Sequence, residues 1–411
     1  MGVRLLPALF AAAFGFSFLS AALAESLGLG RARILLFTAL VLALLAASLF
    51  VGPPLLRRPR HLPLFLLLLL ALLAWWHVGR PFDPLDYKIL LPLLVLLLLP
   101  ELARALSGLD VARLVWFLLL LYVLASGAAL ALLEPSVLVR GYEAIRRWDV
   151  TGSMVSHSSL LLLFLLLSAA RLAREPFTPL ALPAWAAVLL ALAMIFLAAT
   201  RTTVAILALF VLLDLIAGPG DRVRFWIRAL IPAALAFAVA TVLVSDVMWR
   251  RLVGLGLEEY TSGRLASWSY WFALAVRHPL GLGIGYVRQE LAAERPWLDG
   301  GVPLEWPHNE LLRFWVEGGW AGLVLIVLLM LALVKMALYA ARCAERADER
   351  ALALGLAADM LARSLLQNYF NEIYQATMAV LVIGLLAYRG LVTGEQARQP
   401  VLPGAAGVAQ R

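Results

Sequence analysis

Runs such as Leu64 to Trp75 and Leu160 to Leu167 carry no polar side chain at all. A helix that is apolar on every side has no face to offer water, so lipid is its natural solvent. Hydrophobic residues make up 63% of the chain and charged residues 15%, well outside the range of a soluble globular domain. One span needs about 20 apolar residues, so 411 residues leave room for roughly a dozen. The segments are solidly Leu, Ala and Val rather than alternating, which argues against a barrel. The fold class is therefore an all-α polytopic integral membrane protein.

The apolar segments fall at residues 5–24, 34–52, 62–78, 87–100, 111–133, 154–172, 180–199, 202–217, 227–245, 311–334, 351–370 and 372–389. Short loops bearing Arg57, Arg58 and Arg60, Arg104 and Arg113, Arg171 and Arg174, Arg222, Arg224 and Arg228, and Lys335 to Arg350 alternate with less basic ones. The positive-inside rule assigns these loops and both termini to the cytoplasm. The remaining long hydrophilic stretch then faces outward, which means the periplasm in a bacterial chain of this kind. Four regions follow: helices 1–9 over 1–245, a periplasmic loop domain with short helices over 246–310, helices 10–12 over 311–390, and a flexible cytoplasmic tail over 391–411. Arg4, an apolar run and Ala22-Leu23-Ala24 imitate a signal peptide, but residues 5–24 exceed the usual core of roughly 7–15, so a retained first helix is expected. The single cysteine, Cys343, excludes a disulfide framework and is expected in a cytoplasmic loop.

The formal net charge is +8, and only Lys88 and Lys335 among 34 basic residues are lysine. A genome favouring Arg codons accounts for this, and so does chemistry, because an Arg fork grips phosphate bidentately. The outward segments retain Arg140, Arg146, Arg147 and Arg201, and the long loop adds Arg250, Arg251, Arg264, Arg277, Arg288 and Arg295, with Arg313 beyond it. Basic residues in short outward loops run against the topology rule and point to a bound anion. The alternative is pairing with Glu134, Glu143, Asp149 and Glu258. Arg201 stands out because Ala199-Thr200-Arg201-Thr202-Thr203 is wedged between two apolar spans, where a charge is costly without a partner.

His308 lies between Pro307 and Asn309, just ahead of a helix expected from Glu310. An electropositive helix N-terminus favours the neutral imidazole, the form able to accept a proton. Asn309, Glu310 and, at the start of the sixth span, His157 are candidate supporting residues. Residues 264–276 read as an amphipathic helix lying at the interface, anchored by Trp268, Tyr270, Trp271 and Phe272. Pro279-Leu280-Gly281-Leu282-Gly283-Ile284-Gly285-Tyr286 is a glycine turn that lacks the spacing of a nucleotide loop. Asp359 and Arg363 stand four residues apart and should satisfy one another inside the bundle. No His/Cys cluster has metal-ligand spacing, so neither metal nor cofactor is expected, and no nucleic-acid partner.

In order, these features are a short-turn Arg201, Ser-x-Arg at Ser262 to Arg264 before an aromatic helix, a Pro-x-Gly-x-Gly turn, His308-Asn309 before a span, and Glu317-Gly318-Gly319 leading into it. Taken together over about Thr200 to Gly322, they resemble the O-antigen ligase and polymerase superfamily. The resemblance implies about twelve spans and essential groups at Arg201, Arg264 and His308. The outward placement of Arg146, Arg147, Arg201 and Arg264 on three separate segments is expected to gather them around one diphosphate. The resemblance further implies transfer of O-antigen from undecaprenyl diphosphate to lipid A–core oligosaccharide at the periplasmic face of a Gram-negative inner membrane. Such transfer would be metal-independent, and direct displacement would invert the anomeric centre. Polymerisation of O-antigen and protein O-glycosylation are the alternatives within the superfamily. A transporter of anions or lipid-linked glycans is the alternative outside it, although paired broken helices at the midplane are not evident.

Overall fold

The computed structural model describes residues 5–16, 32–51, 61–76, 88–133, 154–173, 181–197, 201–243, 264–293, 297–298, 302–304 and 306–398. Each of the twelve apolar segments contains a helix. In chain order these are α1 (Leu5–Phe16), α2 (Ala32–Val51), α3 (His61–Trp76), α4 (Leu90–Ala105), α5 (Val111–Leu133), α6 (Met154–Leu172), α7 (Leu182–Leu197), α8 (Arg201–Ala217) and α9 (Gly220–Leu243). The hydrophilic stretch contributes α10 (Arg264–Arg277), α11 (Tyr286–Ala293) and a minimal antiparallel hairpin, β1 (Trp297–Leu298) with β2 (Val302–Pro303). The chain continues through α12 (Glu310–Cys343), α13 (Ala347–Leu366), a 3-10 turn at Tyr369–Asn371 and α14 (Ile373–Arg398).

Apolar side chains point outward as well as inward. Leu35, Leu42 and Leu49 repeat every seventh residue along α2 and are all exposed, as are Leu68 and Leu72 of α3, and Ile216 of α8 is 74% exposed. Water would penalise such a belt, whereas lipid does not. Val111–Ala128 within α5 and the whole of α12 are long and apolar enough to cross a bilayer. Inside, α14 packs on α4 and α12, α12 on α13, α13 on α6, and α6 on α7. Small residues permit these approaches: a Cβ on Gly384 would lie 2.4 Å from the Leu99 side chain, and one on Gly355 2.9 Å from Leu166.

Several boundaries differ from the hydropathy reading. The fourth helix runs on through Glu101, Leu102 and Ala103, all buried, rather than stopping at residue 100. The ninth starts at Gly220 instead of 227 because Phe225 and Trp226 are fully buried and the Trp226 indole N–H donates to Asp214 at 2.9 Å. Helix α12 continues past residue 334 on buried Ala337, Ala340 and Ala341, so Cys343 closes a helix instead of lying in a loop.

At the end of the bundle opposite His308, several basic residues counted for topology also tie connections together. Arg346 hydrogen-bonds both Asp110 and Asp348, Arg171 reaches Asp348, and Arg389 pairs with Glu349 at 3.2 Å. Burial alone would raise the Asp110 carboxyl, but hydrogen bonds from Arg346 and the Arg113 N–H outweigh it and hold the group below its ordinary value.

Candidate functional site

The site is built on a break in α12. Gly319 has φ 61° and ψ −151°, a conformation open to glycine alone, and it divides the 34-residue helix in two. Breaking a helix frees carbonyls that need donors. The glycine turn supplies them: the Leu282 N–H donates to Val316 O at 2.9 Å and the Gly283 N–H to Glu317 O at 2.8 Å. Trp320 N–H returns a bond to Pro279 O at 3.1 Å. A Cβ on Gly281 would stand 2.4 Å from the Gly319 nitrogen, so both chains need glycine where they cross.

This junction fastens α10 along the first half of α12. Trp271, Ala275, Val287, Leu304, Leu312 and Val316 form a small separate core there. The expected interfacial anchors are corrected accordingly. Trp271 is fully buried in that core, and the Trp268 indole N–H is spent on the Pro307 carbonyl. Only Phe272, 53% exposed and edge-on to Trp315, keeps the outward position anticipated for it.

Pro307 leads directly to His308, whose φ of 45° is the sole positive value among described non-glycine residues. Such a backbone costs roughly 1–3 kcal/mol and persists where the surroundings impose it. Trp268 holds the residue before it, and Asn309, the one after, caps α12 by accepting from the Leu312 N–H at 3.0 Å. His308 Nδ1 faces the Asn368 amide at 3.5 Å, the outer limit of a hydrogen bond. Burial, and then the positive charge of Arg264, push the imidazole down to about 4, so it is neutral at physiological pH. Arg264, at the start of α10, donates from Nη1 to the Leu366 carbonyl at 2.7 Å, completing the C-terminus of α13.

Arg264, His308 and the end of α13 thus meet at one place. Arg201 opens α8, and its side chain lies outside the described residues, as do Arg146 and Arg147. Thr203, two residues on, accepts from Arg363 Nη2 at 2.5 Å, which brings the start of α8 beside α13. Arg363 and Asp359 form the expected pair at 2.6 Å, both fully buried. Arg313, counted among the outward cations, is instead buried and neutralised by Glu310 at 3.3 Å and Glu317 at 3.4 Å. Glu310 therefore belongs to the brace of α12. His157 is buried on α6, its Nδ1 hydrogen-bonded with the Tyr122 hydroxyl. Among the described residues, no three His, Cys, Asp or Glu groups converge as metal ligands.

Arg201, Arg264, His308 and the Gly319 break all lie between α7 and the middle of α12. Residues 186–327 match the O-antigen ligase family. The match supports the O-antigen ligase and polymerase superfamily for this chain, whose members are membrane glycosyltransferase-like enzymes. No curated protein matches the chain. The matched segment contains Arg201, Arg264, His308 and the Gly319 break. It ends before α13, and so omits Asn368, the Leu366 carbonyl and Arg363. Sequence reasoning had one signal for that last group, the four-residue spacing of Asp359 and Arg363. It had none for the roles of Leu366 and Asn368, which exist only because α13 ends against α10.

Proposed function

We propose that the chain transfers a glycan from a polyprenyl diphosphate to an acceptor hydroxyl at the end of the bundle that carries His308. The leading case is ligation of O-antigen from undecaprenyl diphosphate onto lipid A–core oligosaccharide, at the periplasmic face of the inner membrane. The observation that most supports this reading is a neutral imidazole, carried on the strained backbone of His308 beside Arg264, within the segment that matches the O-antigen ligase family. The acceptor oxygen attacks the anomeric carbon, its bond to the donor phosphate oxygen breaks, and the acceptor proton passes to His308. The diphosphate leaves as a stable anion and needs charge stabilisation more than protonation. Arg264 and Arg201 supply it, with Arg146 and Arg147 contributing from the loop before α6. Inversion at the anomeric carbon follows from a single displacement.

Purified protein incubated with undecaprenyl-diphosphate O-antigen, with and without lipid A–core, tests the reading when products are resolved by size. Core molecules enlarged by one whole glycan, only when the core is present, are expected. A ladder of longer lipid-linked glycans without core would assign polymerisation instead. Glycan on a protein acceptor would assign protein O-glycosylation. Substrate uptake without any new glycosidic bond would refute the transferase.

A further inference from the structure

We infer that Arg363, inside the bundle, is a positioning residue that fixes the start of α8, where Arg201 stands, relative to the end of α13, where Arg264 rests. The inference depends on the transferase reading above. A buried cation needs a counter-charge, and Asp359 provides one through Nε alone. Neutralisation would be complete there, yet the remaining guanidinium donors are committed elsewhere. Nη1 donates to Gln367 Oε1 at 2.8 Å, and Nη2 donates to Ser158 Oγ at 3.2 Å and Thr203 Oγ1 at 2.5 Å. One planar fork therefore fixes α6, α8 and α13 against each other, a task for which a lysine point charge lacks the geometry.

What these partners adjoin gives the arrangement its consequence. Thr203 lies on the first turn of α8, two residues after Arg201. Gln367 follows Leu366, whose carbonyl holds Arg264, and precedes Asn368, which faces His308. Asp359 is itself held, since its second oxygen accepts from Gln375 Nε2 at 3.0 Å and that amide also reaches Ser159. The guanidinium is thus the shared reference for two cations proposed to grip one diphosphate, while the acceptor approaches from the other side of the reacting carbon.

The prediction is a defect in donor use alone. Arg363→Lys raises the donor KM about tenfold, the scale of one misplaced charge-assisted contact, and leaves the acceptor KM within about twofold. Thr203→Val gives the same donor defect, and Thr203→Ser, which restores the hydroxyl, reverses it. The paired variant Asp359→Leu with Arg363→Met buries no charge, so it should reach the membrane while keeping the donor defect. Equal changes in both KM values, or a lower melting temperature with wild-type donor KM, would overturn the inference by reducing Arg363 to a stabilising role. Failure of both Arg363 variants to accumulate in the membrane would do the same. If the wild-type protein itself transfers no glycan, the transferase reading fails instead, so the two failures are distinguishable.

Discussion

Alanine at Gly319 should unfasten the α10–α11 subdomain from the bundle. The added Cβ would sit 2.2 Å from the Pro279 carbonyl oxygen and 2.5 Å from the Leu280 carbonyl carbon, both backbone atoms with no rotamer to change. The residue would also be held at φ 61° and ψ −151°, at a cost of roughly 1–3 kcal/mol. Relief requires the turn to lift, which strains the bonds from Leu282 to Val316, Gly283 to Glu317 and Trp320 to Pro279. At about 0.5–1.5 kcal/mol each, their loss brings the total to roughly 3–7 kcal/mol. That rivals the whole stability of many domains, about 5–15 kcal/mol. The assay is thermal unfolding of detergent-purified protein, read by size exclusion after heating, alongside limited proteolysis between residues 278 and 310. Gly108→Ala is the control, because its Cβ would meet nothing within 4 Å. The Gly319 variant should melt well below both control and wild type and be cut sooner in the glycine turn. Melting within about 1 °C of wild type would refute the docked-break account.

The remaining expectations concern the chemistry. His308→Ala should reach the membrane normally and lose transfer, and near-normal turnover between about pH 6 and 8 would remove the proton-accepting role. Because the fold favours the neutral ring, protonation comes only as pH falls through about 4, so wild-type transfer should hold at mildly acidic pH and decline only near pH 4; the residual activity of Arg264→Gln, which removes the positive charge beside the ring, should decline at higher pH. Arg201→Lys and Arg264→Lys should each lose most activity although charge is retained, since lysine cannot reproduce a bidentate fork, and full activity in either would make that arginine a generic counter-charge. Transfer should survive excess EDTA, and a loss restored by Mg²⁺ or Mn²⁺ would replace the arginine clamp with a metal-bridged diphosphate.

Much of this architecture was legible in the chain alone because its causes are local. Unbroken apolar runs specify helices whatever their neighbours, and each of the twelve segments contains one. The Asp359–Arg363 pair was readable too, since four residues make about one helical turn. Arg201 stands out as a charge in the wrong place and His308 by its position before a helix, whereas Arg264 is marked only by the Ser-x-Arg resemblance. Tertiary structure decided which of these features meet. The two hydroxyls that accept from Arg363 come from 205 and 160 residues away, and the Arg264 bond to Leu366 spans 102. Helices lined alike with leucine and alanine do not encode their own neighbours in composition, so such partners have no signature along the chain. The same reason sends Trp271 inward. An amphipathic pattern states that one face of α10 is apolar, but only the break at Gly319, opening α12 to the glycine turn, determines that this face is covered by protein rather than by lipid.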